Sequence, residues 1–140
     1  MSGMRVEDRA EVMDLVARYA ECVDTADVDG YAALFTPDGV VEYSGGSVQG
    51  REGIKAWVDR LAKEGRIGAE SGVKHVLGLP VIRGDGQRAT ARTYVVIPRI
   101  MPTGVISTRF VGTYKDDVVK QAGRWLLARR VIALELTAKA

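Results

Sequence analysis

The sequence predicts an α+β fold in which a curved antiparallel sheet wraps around three helices from the N-terminal half. Two observations carry this. Apolar residues recur at helical spacing up to about residue 64, and at alternating spacing from residue 73 onward. Glycines and prolines then divide the second region into long strands, with Gly84-Asp85-Gly86 as a hairpin signal between the first two.

Residues 6–24 predict one amphipathic helix. Glu7, Glu11, Asp14, Arg18 and Glu21 form its polar stripe. Ala10, Met13, Ala17 and Ala20 form an apolar one, flanked by Val12, Val16 and Val23. Asp24 continues the apolar stripe. A short helix over 27–35 follows, stopped by Thr36, Pro37 and Asp38. Residues 40–43 predict a strand, 44–47 a glycine turn and 48–50 a short return strand. The third helix covers 51–64 and buries Ile54, Trp57, Val58 and Leu61. Glycines 65, 68 and 72 mark a loop. Four strands then follow over 73–83, 87–97, 105–115 and 124–135, so the order is helix, helix, two short strands, helix, four long strands. Four adjacent long strands need one face covered, and three amphipathic helices can cover it. Where the wrap is incomplete, a cavity remains.

A chain of 140 residues predicts a single domain, 1–140. Its net charge of +2 arises from 20 basic and 18 acidic residues without a basic block, which argues against nucleic acid as a partner. No apolar run approaches the ~20 residues of a membrane span. The N-terminus carries no apolar secretory core, and the lone Cys22 suits a reducing compartment, so the expected location is cytoplasmic. A single histidine without a cysteine partner leaves no ligand set for a metal. No glycine loop opens a helix to cradle phosphates, and no cofactor is expected.

His75, the lone histidine, shares a strand face with Val73, Leu77 and Leu79 and should point into the core. It is either a satisfied core imidazole or a general base, since its unperturbed pKa of ~6.5 suits proton abstraction at neutral pH. Asp24 favours the second. A carboxylate on a buried helix face is costly unless paired, and a histidine facing the same cavity can pair with it. The alternative for Asp24 is to cap the second helix, but Thr25 and Asp27 could do that equally well. Tyr19, at the edge of the apolar arc, and Tyr43, beside the glycine turn, are either wall residues or phenolic donors. Thr108, Phe110, Gly112 and Tyr114 share one strand face; Thr108 and Phe110 are expected to line the pocket and Gly112 to leave room in it. Trp57 and Trp125 are expected in the core. Arg129 falls on the face of Trp125, Leu127 and Val131, where a salt bridge is its expected role. Arg92 and Arg109 should face outward. Asp85, Asp116 and Asp117 fall at or near turns, so the inward strand faces should carry almost no carboxylate.

Residues 18–27 (Arg-Tyr-Ala-Glu-Cys-Val-Asp-Thr-Ala-Asp) and 31–38 (Tyr-Ala-Ala-Leu-Phe-Thr-Pro-Asp) resemble the opening of the SnoaL-like family. Gly50-Arg51-Glu52-Gly53-Ile54 resembles the start of that family's third helix. Gly112, Tyr114 and Asp116, with Gly123-Arg124-Trp125 and Arg129-Arg130-Val131, resemble its closing strands. The resemblance spans nearly the whole chain in the right order. It implies the cone of the nuclear-transport-factor-2-like superfamily and a homodimer packed through the outer sheet face, where Tyr94 and Val96 lie. Among scytalone dehydratase, hexachlorocyclohexane dehydrochlorinase and bile-acid dehydratase, which the chain resembles, an aspartate and a histidine matching Asp24 and His75 are the catalytic pair. Tyr19 and Tyr43 match tyrosines of the same sites. The second histidine of scytalone dehydratase is replaced here by Val95 or Ile97, and the general base of ketosteroid isomerase would fall at Tyr43.

The expectation is therefore a cofactor-free lyase or isomerase, dehydratase-like, with a small apolar, ring-containing substrate. Two alternatives stand beside it: a SnoaL-type polyketide cyclase, and a non-catalytic small-molecule binding or assembly domain. The non-catalytic reading requires that His75 and Asp24 do not touch, or that side chains fill the cavity.

Overall fold

A computed structural model describes residues 3–137. Helix α1 (Val6–Thr25) and helix α2 (Val28–Ala33) are followed by strands β1 (Phe35–Tyr43) and β2 (Gly46–Gln49) and by helix α3 (Gly50–Lys63). Strands β3 (Val76–Leu77), β4 (Val81–Gly84), β5 (Arg88–Ile100), β6 (Ile106–Gln121) and β7 (Arg124–Thr137) complete the chain. The strands form one curved, unclosed sheet in the order β2-β1-β7-β6-β5-β3, with β4 also paired to β5. All pairs are antiparallel except β1 with β7, which run parallel. The helices cover the concave face, as layering requires.

The buried face of α1 is Val12, Leu15, Val16, Tyr19, Ala20 and Val23, not the alanine stripe; Met13 is exposed. Branched and aromatic side chains bury ~1.5–3 kcal/mol each and outweigh alanines in orienting a helix. Tyr19 consequently lies within the buried arc and Asp24 at its edge. The helix ends with Ala26 in the left-handed region (φ 54°), and the Asp27 N–H donates to the Cys22 carbonyl at 2.8 Å. Asp27 then caps α2, accepting from the Gly30 N–H at 3.0 Å. Asp24 is thereby released from capping.

Several strand boundaries differ from the periodic expectation, and β5 runs on through Pro98 to Ile100. Helix α2 already ends at Ala33, and Thr36, Pro37 and Asp38, expected to stop it, belong to β1. Strand β6 continues to Gln121, which places Asp116 and Asp117 mid-strand. The expected strand over 73–83 breaks into a bridge between Val73 and Arg99, then β3, then β4. Gly78 and Pro80 sit in the break and leave Leu79 exposed.

Two of the one-residue bulges between these strands reset side-chain direction near the cavity. Ile97 pairs with Phe110 but Pro98 with Thr108, leaving Arg109 as the extra residue of β6. Val118 pairs with Leu127 but Asp117 with Arg129, leaving Ala128 extra in β7. Each inserted residue inverts the alternation beyond it.

Candidate active site

A cavity of about 260 Å³ lies between α1, α3 and the concave sheet face. Its walls are mostly apolar, with Val23, Val58, Leu61, Ile97, Phe110 and Ile132 among them, and it opens where Ser44 and Arg66 are exposed. His75 lines it. The ring nitrogen Nδ1 of His75 lies 2.7 Å from Oδ1 of Asp24, and both side chains are nearly buried, 10% and 12% exposed. Asp24 also accepts the His75 backbone N–H, at 3.1 Å to Oδ2 and 3.2 Å to Oδ1. Local sequence explains this. The broken strand frees the His75 N–H from the sheet ladder, and the carboxylate at the end of α1 takes it. A carboxylate only accepts, so Nδ1 is the donor, which in a neutral imidazole puts the lone pair on Nε2. Nε2 has no protein partner among the described residues.

Tyr19 lines the cavity floor, 2% exposed. The Tyr31 hydroxyl donates to the Tyr19 hydroxyl oxygen at 2.8 Å, which leaves the Tyr19 proton available to a third group. Burial raises the Tyr19 pKa, and the Arg130 guanidinium opposes but does not cancel that rise. Tyr19 is therefore a phenol, not a phenolate, at neutral pH. Burial pushes Tyr31 and Tyr114 well above the ordinary tyrosine value as well.

Beneath these phenols lies an ion pair that periodicity misplaces. Arg130 is fully buried and Asp116 is 2% exposed. Nε and Nη2 of Arg130 donate to the two Asp116 oxygens, each at 2.6 Å. The guanidinium carbon stands 3.7 Å from the Tyr19 ring centroid and 4.2 Å from that of Tyr114. Burial works against the Arg130 charge, but the Asp116 carboxylate outweighs it and holds the guanidinium protonated. Arg129, expected to face the core, instead lies on the outer side with Glu42 as its partner. The bulge at Ala128 makes the exchange. The paired dipeptides Asp116-Asp117 and Arg129-Arg130 were a usable signal, since either register sets one aspartate opposite one arginine on the inner face.

The bulge at Arg109 corrects two more placements. Thr108 is exposed and is absent from the cavity wall, whereas Phe110 and Arg109 both line it. Arg109, expected on the outer face, holds its guanidinium carbon 5.7 Å from the Phe110 ring centroid. Gly112 is buried for another reason than room in the pocket: a Cβ there would meet the Ala133 carbonyl oxygen at 2.4 Å. Tyr43 lines the cavity and stacks on Trp57, centroids 5.0 Å apart and planes 15° from parallel. Trp125 is buried against α1, and Arg92 is exposed. Among the described residues no group of three histidine, cysteine, aspartate or glutamate side chains could hold a metal ion. No helix among them is long and apolar enough to cross a membrane.

A model of the SnoaL-like domain family matches residues 4–131. The chain belongs to the SnoaL-like family. A solved structure of a nuclear-transport-factor-2-like protein with a cystatin-like fold, from Novosphingobium aromaticivorans, superposes with a TM-score of 0.85. It is 28% identical and covers 93% of this chain and 83% of its own. An uncharacterised Mycobacterium tuberculosis protein, Rv2910c, is 29% identical over 134 residues, covering 94% of this chain and 88% of its own length. A terephthalate 1,2-dioxygenase terminal oxygenase subunit (beta 1, Comamonas) is 30% identical over 135 residues, covering 86% of each. The relatives thus include an uncharacterised protein and an oxygenase subunit, so chemistry must be argued from the site.

Proposed function

We propose that this SnoaL-like protein is a cofactor-free lyase or isomerase in which His75, oriented by Asp24, abstracts a proton from a ring-bearing substrate. The observation that carries the reading is the 2.7 Å contact between Nδ1 and Oδ1 at the wall of an open apolar cavity. Nε2 of the neutral imidazole takes a proton from a carbon next to an electron-withdrawing group. The C–H electron pair becomes the new double bond, and a leaving group on the neighbouring carbon departs with its own pair. The imidazolium formed is stabilised by the Asp24 carboxylate. Tyr19 donates its hydroxyl proton to the departing or carbonyl oxygen, with Tyr31 hydrogen-bonded behind it. Tyr43, on Trp57, and Phe110 pack on the ring. A general base supplies ~10²–10⁴-fold, and hydrogen bonds to developing charge in a dry site supply the remainder.

The test is proton exchange. Ring ketones bearing a β-hydroxyl group are incubated with the protein in D₂O and read by mass spectrometry. Deuterium entry or loss of water should occur with the wild type and fall by about 10²–10⁴-fold in His75→Gln. Exchange that is equal in the two proteins would remove His75 from the reaction.

A second reading, a non-catalytic assembly subunit, draws support from the oxygenase relative and from apolar side chains on the outer sheet face. Tyr94 is 76% exposed, Val76 54% and Val96 38%. A homodimer through this face is compatible with either reading, and sedimentation of the wild type against Tyr94→Glu measures it. An assembly role alone gives no reason for the Asp24–His75 clamp beside an open cavity.

A further inference from the structure

The charge on the cavity wall is of one sign. Among the described residues that line it, the cations are Arg66 and Arg109, and none is an aspartate or glutamate. Asp24 stands behind His75 and is not part of the lining. Arg109 is half-buried, is turned into the cavity by the bulge, and has no carboxylate partner among the described residues. Arg66 has one ion pair, Glu64 at 3.5 Å, with side chains 59% and 48% exposed. An exposed pair of that length holds its partners weakly, so Arg66 is free to turn to another anion.

An unpaired guanidinium at the wall of an apolar cavity bears a desolvation cost that a bound anion would offset. A β-bulge at that one position is a device for re-aiming a side chain. Strict alternation would have put Thr108 inside and Arg109 in solvent. The remaining wall is a ring site, with Tyr43 stacked on Trp57 and Phe110 beneath the Arg109 guanidinium.

We propose that the cavity takes a ring-bearing carboxylate, its ring among Tyr43, Trp57 and Phe110 and its carboxylate held by Arg109 and Arg66. This names a substrate class for the site proposed above, and it rests on that cavity being the binding site but not on the His75 reaction. A carboxylate next to the reacting carbon is a poor acceptor of further negative charge. Neutralisation by two arginines removes that obstacle and lets His75 act on an acid in place of a neutral ketone.

Titration calorimetry with 2-naphthoate and 2-naphthamide, which share a ring and differ in charge, tests the proposal without turnover. Wild type should bind the carboxylate about tenfold or more tighter than the amide, the size of one or two charge-assisted hydrogen bonds. The preference should vanish in Arg109→Gln. Arg109→Lys, which keeps the charge and most of the stem, should retain part of it. His75→Gln should leave it intact while lowering proton exchange by the ~10²–10⁴-fold expected above, so the two proposals fail separately. Equal binding of the two ligands, no binding of either, or a preference that survives the Arg66→Gln/Arg109→Gln double variant each overturns the carboxylate site.

Discussion

Asp24 accepts two hydrogen bonds from one residue, His75: the ring Nδ1 at 2.7 Å and the backbone N–H at 3.1 Å. The carboxylate thus fixes both the strand segment and the ring it carries. An aspartate serving only as a tautomer setter would not need the backbone, and one serving only as a strand clamp would not need the ring. The geometry links rigidity of the site to the identity of the basic nitrogen.

That link predicts a tautomer. Nitrogen-15 NMR of the neutral imidazole should show the proton on Nδ1 in the wild type, and Asp24→Ala should release the ring to a mixture of tautomers. The same variant leaves the His75 backbone N–H without its acceptor and should cost about 1–3 kcal/mol of stability. Asp24→Asn keeps an oxygen for the backbone and should cost less. An unchanged ring signal in both variants would break the pair.

The phenol pair gives a second prediction. Tyr19→Phe strands the buried Tyr31 hydroxyl and should destabilise the fold by about 1–3 kcal/mol, measured by urea denaturation. Replacing both tyrosines by phenylalanine removes donor and acceptor together and should cost less than the sum of the singles. Tyr31→Phe alone leaves the Tyr19 phenol in the cavity, so activity should fall more in Tyr19→Phe than in Tyr31→Phe. The reverse order would move the acid to Tyr31.

Beneath the phenols, Arg130 and Asp116 predict a strong asymmetry between single and double variants. Asp116→Leu leaves an uncompensated buried guanidinium and should cost about 3–5 kcal/mol. Arg130→Met combined with Asp116→Leu removes both charges and should recover much of that loss. Additive losses in the double variant would mean that the pair is not the unit of stability.

The same pair marks the limit of what the sequence could disclose. Helix spacing located α1 and α3, and the apolar-stripe position of Asp24, the inward strand face of His75 and the resemblance to the dehydratase pair brought the two together although 51 positions separate them. Alternation failed at Arg109 and Arg130 for one shared reason. A period-two pattern assigns faces only while the register holds, and single extra residues at Arg109 and Ala128 invert it. Neither bulge carries a glycine; Pro98, which stands in β5 at the step facing Arg109, is the one local signal, and nothing comparable marks Ala128. Alternation therefore places Thr108 and Arg129 inward and Arg109 outward, whereas Phe110 keeps its place because the bulge lies just before it.

Asp8 predicts how the fold meets acid. Its carboxylate accepts from the Trp125 indole N–H at 2.8 Å and from Lys120 at 3.0 Å, and Glu11 accepts the Trp125 backbone N–H at 2.6 Å. These contacts fasten the first turn of α1 to the β6–β7 hairpin. The Trp125 hydrogen bond and then Lys120 lower the Asp8 pKa below its ordinary 3.8. A carboxylate whose folded pKa lies below its unfolded value favours the fold at neutral pH. That contribution fades as pH falls from the ordinary value through the depressed one. Thermal denaturation followed by tryptophan fluorescence should therefore show wild-type stability falling below about pH 4. Asp8→Asn should be less stable than wild type at pH 7 and converge toward it in acid, because the variant has no carboxylate to protonate. A constant gap between the two proteins from pH 7 down to the acid limb would show that the Asp8 charge contributes nothing and that only its hydrogen bonds matter.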